Sequence, residues 1–166
     1  MKTVDIVANN AAMDICRALQ LHDWDSVNEI LYSIPSRPLP NVTLMAGKSA
    51  LHIAALSDAP LYLIATLIQS FGVESASMPD KFGNMPLHLM AMTSTSLHAI
   101  DLVARAYPSA IVIHNSKDRD FTPMDHLFNR GGLDDDDGEL VEGFVTMAVS
   151  NLLIIYPDAI NDVDSN

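Results

Sequence analysis

Gly47-Lys48-Ser49-Ala50-Leu51-His52-Ile53-Ala54-Ala55 is followed 36 residues later by Gly83-Asn84-Met85-Pro86-Leu87-His88-Leu89-Met90-Ala91, with glycine, leucine, histidine and alanine in matching places. A third stretch, Phe121-Thr122-Pro123-Met124-Asp125-His126-Leu127, sets Thr122-Pro123 37 residues after Met85-Pro86. A second element keeps the same step from another part of the unit. Tyr107-Pro108-Ser109-Ala110-Ile111 recurs as Tyr156-Pro157-Asp158-Ala159-Ile160, and Phe71-Gly72 and Ile34-Pro35 stand at the same phase upstream. The step from Phe71 to Tyr107 is 36, and that from Tyr107 to Tyr156 is 49. An insertion of about a dozen residues, from Asn129 to Glu139, restores the common period. Self-similarity at this length predicts helix pairs that stack, each burying an apolar face that one pair cannot cover alone.

The local patterns agree. Residues 8–21 carry Ile15, Ala18, Leu19 and Leu21 at helical spacing, and Asp25-Ser26 opens a second helix with Val27, Ile30, Leu31 and Ile34 on one face. Pro35, Pro38 and Pro40 end it in a stiff extended link, since each lacks a donor and restricts its predecessor. Further pairs are predicted at 49–57 and 60–71, at 85–93 and 96–107, and at 122–130 and 139–156. Pro60 stands at a helix start, where its missing donor costs nothing. No stretch alternates with period two, so the expected class is all-α. The chain divides into a degenerate helix pair with a Pro-rich link (1–43), repeats at 44–79, 80–116 and 117–160, and a tail at 161–166. The last repeat holds an acidic insertion at 130–138.

These residues resemble the T-P-L-H segment of ankyrin repeats, and the chain is similar to a divergent ankyrin-like solenoid of about four helix pairs. Ser49 and Thr122 suit a capping role at a helix start and Met85 does not. The resemblance implies that His52 and His88 form hydrogen bonds within and between repeats; His126 sits one place later, behind Asp125. Residues 8–34 lack the motif, and the third unit lacks the glycine that usually joins the two helices. The units run 36–37 residues against the 33 of the common repeat.

Composition narrows the function classes. At 166 residues and 49% hydrophobic the chain can fill one continuous core. The net charge of −12 repels phosphate backbones, so no nucleic-acid partner is expected. Residues 118–166 hold 12 acidic and 2 basic residues, net −10, which favours a basic partner surface near the C-terminal third. Cys16 is the only cysteine, and the N-terminus has no signal-peptide core, so a cytoplasmic or nuclear setting is expected. The longest apolar stretch, Phe144 to Tyr156, is too short to span a bilayer, and no membrane association is expected.

Rival chemistries meet specific obstacles. No two of the six histidines have the i, i+4 spacing of a helical zinc site. Asp134-Asp135-Asp136-Asp137-Gly138-Glu139 fails the EF-hand frame, because Gly138 at loop position 6 puts Leu133 and Phe144 at the end positions; a solvated acidic loop is expected. Cys16 and His22 lack a third, orienting group, so Cys16 reads as a core thiol. Gly131-Gly132 has no following Lys or Thr to make a phosphate loop. No catalytic residue, cofactor or metal is assigned.

The resemblance places partner-binding residues on hairpin tips and inner faces of the first helices. The tips are Met45, Ala46 and Lys48, then Lys81, Phe82 and Asn84, then Asp118, Arg119 and Phe121. The inner-helix positions are Leu56 and Ser57, Met92 and Thr93, and Asn129 and Arg130. Phe82, Phe121, Met45, Met92 and Leu56 either form an exposed apolar strip for a protein partner or tuck against the neighbouring hairpin. The expected function is a non-catalytic protein–protein interaction module. A helical-bundle enzyme or regulatory domain is one alternative, and a terminal fragment of a larger ankyrin scaffold another. The last helix is apolar round most of its circumference, so it is expected to meet a second copy, a partner or further repeats.

Overall fold

The computed structural model describes residues 2–34, 38–115, 120–131 and 138–158; for 2–5, 130–131, 138–142 and 144 it gives the backbone alone. Among the described residues the secondary structure is helical throughout, without a strand. The elements are α1 (Lys2–Gln20), α2 (Trp24–Ser33), α3 (Ala50–Leu56), α4 (Leu61–Phe71), α5 (Pro86–Thr93), α6 (Leu97–Ala106), α7 (Pro123–Gly131) and α8 (Gly138–Ile155). Short 3-10 turns at Met45–Gly47, Val73–Ser77 and Pro108–Val112 join them.

Each helix buries the stripe its sequence spacing dictates. On α1 this is Ala12, Ile15, Cys16 and Leu19; on α4 Leu63, Ile64 and Leu67; on α6 Ala99, Ile100, Val103 and Ala104; on α8 Val145, Ala148 and Leu152. α1 starts six residues before the segment that periodicity marks. Ile6 and Val7 in this early part of the helix are exposed. α2 is capped by Asp23, two residues before Asp25: its carboxylate accepts from the Ser26 backbone N–H at 3.1 Å and the Ser26 hydroxyl at 2.6 Å. The insertion 130–138 lies largely outside the described residues, and α7 takes its first two positions.

The helices pack in two rows. α1, α3, α5 and α7 contact one another in succession, as do α2, α4, α6 and α8, and each odd helix also packs on its even successor. Between rows the aromatic markers sit at the ends of second helices: Phe71 closes α4, Tyr107 caps α6 and Tyr156 follows α8. The period of 37 has a local origin. α6 is one residue shorter than α4, while the hairpin before α7 is two residues longer than its predecessors. The hairpins close through Leu44 N–H to Lys48 O, Asp80 N–H to Asn84 O and Asn115 N–H to Phe121 O, at 2.8–3.0 Å.

Leu51 and Leu87 are buried at equivalent places between successive first helices. Truncating either to alanine leaves a cavity and should cost about 2–5 kcal/mol. Lys81→Ala, on an exposed tip, should change stability by about 0.5 kcal/mol or less. Denaturant unfolding of the three variants measures the contrast.

Candidate functional site

The polar frame of the tips begins with two imidazoles. His52 Nδ1 accepts from the Ser49 backbone N–H at 3.2 Å, and the Ser49 hydroxyl oxygen lies 2.7 Å from the same nitrogen. His88 Nδ1 accepts from the Met85 backbone N–H at 3.1 Å. A backbone N–H can only donate, so Nδ1 is bare and Nε2 carries the proton. The Nε2–H groups donate across to the next hairpins, to Asn84 O at 2.9 Å and Ile113 O at 2.9 Å. Histidine at the third helical position thus does the work that Glu does in a capping box, and it does so at Met85, which has no hydroxyl. In the third unit Asp125 takes that position. Its carboxylate accepts from the Thr122 N–H and hydroxyl, both at 2.8 Å, and Asp125 N–H returns a bond to Thr122 Oγ1 at 3.2 Å. His126 is left to pack edge-on against Phe121 and His88, with its Nε2 3.3 Å from Asn115 Nδ2.

A second layer locks tip to tip. Asp80 Oδ1 accepts from the backbone N–H groups of Phe82 and Asn84 at 2.8 and 3.0 Å, and its Oδ2 faces Lys48 Nζ at 3.6 Å. The Lys48 ammonium also lies 5.6 Å from the Phe82 ring centroid. Lys81 N–H donates to Ala46 O at 2.8 Å, and Asn115 Nδ2 donates to Asn84 Oδ1 at 2.7 Å. Gly47 and Gly83, each just before the closing residue, adopt the left-handed backbone; Asp120 does so in the third hairpin. A Cβ on Gly47 would stand 3.2 Å from Lys81 N, so the close approach of the two tips also requires glycine there.

Several residues of the expected surface are spent inside this frame. Asn84 is buried, its carbonyl bonded to His52 of α3 and its amide oxygen to Asn115 of the third hairpin. Ser57 donates its hydroxyl to Leu19 O at 3.1 Å, and Thr93 donates to Ala55 O at 2.9 Å, tying each first helix to the one before. Ala46 is half-buried and Phe121 half-buried against His126. Asn129 is exposed and donates to Asp125 O. Asp118 and Arg119 lie outside the described residues, as does the Arg130 side chain. Apart from Asn129, what remains at the surface is apolar or cationic. Met45 is 86% exposed, Phe82 46%, and Leu56 and Met92 44% each, while Lys81 is open to solvent and Lys48 is half-buried beneath Phe82.

Phe128 is a surface residue that periodicity within the motif does not reveal. Its equivalents one unit apart, Leu19, Ala55 and Ala91, are fully buried, because the following first helix covers them; Phe128 is 57% exposed. Met147 and Ile154 of α8 are exposed too.

Among the described residues no three His, Cys, Asp or Glu side chains cluster as a metal set, and no helix is long and apolar enough to cross a membrane. Cys16 is buried, and desolvation pushes its thiol up to about 12, so the sulfur stays protonated. His22, beyond the end of α1, is exposed and packs edge-on against Trp24. No protein-family model matches the chain, and no curated protein matches it in sequence.

Burial lowers the pKa of His52 and takes that of His88 down to about 4, against the opposing pull of their Nε2–H bonds to backbone carbonyls. The folded chain therefore refuses a proton that the unfolded chain accepts below about pH 6.5. Their contribution to stability is complete above that pH and falls as pH drops toward 4. The expected loss at His88 is on the order of 3 kcal/mol over that window. Unfolding midpoints between pH 7.5 and 5 should fall, and His88→Gln should flatten the profile while lowering its plateau.

Proposed function

We propose that this chain is an ankyrin-like solenoid that acts as a non-catalytic protein–protein interaction module. The carrying observation is the division of labour at the tips. Side chains able to do chemistry there are held by internal bonds, whereas Met45, Phe82, Leu56 and Met92 stay exposed on successive units. Exposed apolar side chains recurring along stacked first helices and their hairpins are what a docking surface requires. The two rows of helices, the 36-residue step and the paired imidazole bridges support the ankyrin-like reading; a buried protonated Cys16 suits a reducing, cytoplasmic or nuclear compartment. A helical-bundle enzyme would need convergent titratable groups free to act, and His52 and His88 are neutral and bonded at both ring nitrogens.

Phe82 is the expected anchor, since its ring is aromatic, half-exposed and held by Lys48 from one side. Phe82→Ala should weaken a bound protein partner by about 2 kcal/mol or more without altering the unfolding midpoint comparably. Quantitative affinity capture with wild-type and variant chains, followed by titration of the captured protein, measures this. Equal binding by the two chains removes the tip surface from the proposal.

Phe128, Met147 and Ile154 favour a second contact through the last helix pair. The net −10 of residues 118–166 suits a basic partner surface, and a second copy meeting there does so against like-charge repulsion. Sedimentation at rising concentration and salt separates the cases. Self-association that tightens with salt identifies a second copy, and a monomer throughout leaves the face to a basic partner.

A further inference from the structure

The tips differ in charge from the molecule that carries them. The first two hairpins, residues 44–48 and 80–84, contain Lys48 and Lys81 against the one acid Asp80. They total +1 on a chain of net −12. The segregation is sharper at the surface. Asp80 is the sole acid of those ten residues, and its carboxylate is buried, with one oxygen on two backbone N–H groups and the other facing Lys48. Lys81 stands exposed beside it, its backbone anchored to the neighbouring tip through Ala46 O. The helices these tips lead into, α3 and α5, contain no charged residue at all. Asp58, just beyond the C-terminal end of α3, accepts from the Ser94 and Thr95 hydroxyls, and Asp120 of the third hairpin is exposed.

We infer that the surface of Met45, Phe82 and Lys81 binds an acidic protein segment: a large apolar side chain seated on Phe82 and Met45, flanked by Asp or Glu facing Lys81, with Lys48 behind the Phe82 ring. This rests on the tip-docking reading above and adds the sign of the partner. Three observations select it. The apolar anchors give such a side chain a place to lose water. The one exposed charge of these two hairpins is the Lys81 ammonium, and their one acid, Asp80, is buried and faces the half-buried Lys48, so a carboxylate gains there and an ammonium meets repulsion. The surrounding chain is acidic, so a nucleic acid long enough to reach past the tips meets a negative field, whereas a short acidic segment does not. The surface is thus opposite in preference to the C-terminal third, and one partner cannot satisfy both through the same charge.

The test is a random-peptide library selected on the full-length chain, with the charge of the enriched sequences as readout. Enriched peptides should carry an apolar residue flanked by Asp or Glu. Their affinity should fall roughly two- to fivefold for Lys81→Gln and further for Lys81→Glu at low salt, with the difference shrinking as salt rises. An unchanged melting curve for both variants shows that the loss is local. Enrichment of neutral or basic peptides that still compete at Phe82, lost in Phe82→Ala, overturns the charge assignment and leaves the docking surface standing. Acidic binders indifferent to Phe82→Ala, or no binders at all, overturn both. Tighter binding of a single-stranded oligonucleotide than of any selected peptide would also overturn the inference, in favour of a phosphate backbone.

Discussion

Two uncharged imidazoles fix the relation between one helix pair and the next. His52 and His88 each close the first turn of their own helix with Nδ1 and reach the following hairpin with Nε2–H. Both tasks are possible at once only for the neutral ring with its proton on Nε2. From Asn84, the polar connection continues through its amide to Asn115, and from Asn115 Oδ1 to the Phe121 N–H. The hairpins are therefore bonded in series under the surface, and their exposed side chains are positioned by groups that never reach solvent. Apolar packing of Leu51, Leu87 and their neighbours supplies most of the stability, but packing alone is non-directional. The imidazole bonds supply direction.

The helix pairs were legible because burial imposes a period that survives substitution. Among the described residues the helices follow the apolar spacing to within about two residues at most ends, the usual uncertainty of helix termini. The exceptions have physical causes. Near the start of α1 Ile6 and Val7 are exposed, so these two apolar residues mark no buried face there. The three 3-10 turns are too short to show a period of their own. Matching Phe71 with Tyr107 hides a one-residue difference in helix length, since an aromatic residue ends the element in both cases while the turn after it shifts by one.

The site was legible by position and less so by commitment. Counting along the repeat finds the tips, yet it cannot distinguish an exposed amide from one buried between hairpins. Asn84, Ser57 and Thr93 are polar residues at surface-like positions whose bonds go to groups about 31 to 38 residues away, beyond any local pattern. Thr122 and Asp125 have capping-box spacing, which is a local pattern, while His126 one place later breaks the histidine register of the two preceding units. Phe128 emerges only when equivalent residues are compared for what covers them.

The third hairpin spans two more residues than the first two, yet all close with the same backbone bond and then enter a helix at the same step. Tip length is therefore decoupled from stacking. The third closing pair encloses two more residues than the others, while the helix that follows begins at the same step and the bonds between units run through Ala46, Lys81, Asn84, Ile113 and Asn115. The bonds beneath the tips fix which atoms meet, while the length of chain between the closing residues differs from one hairpin to the next.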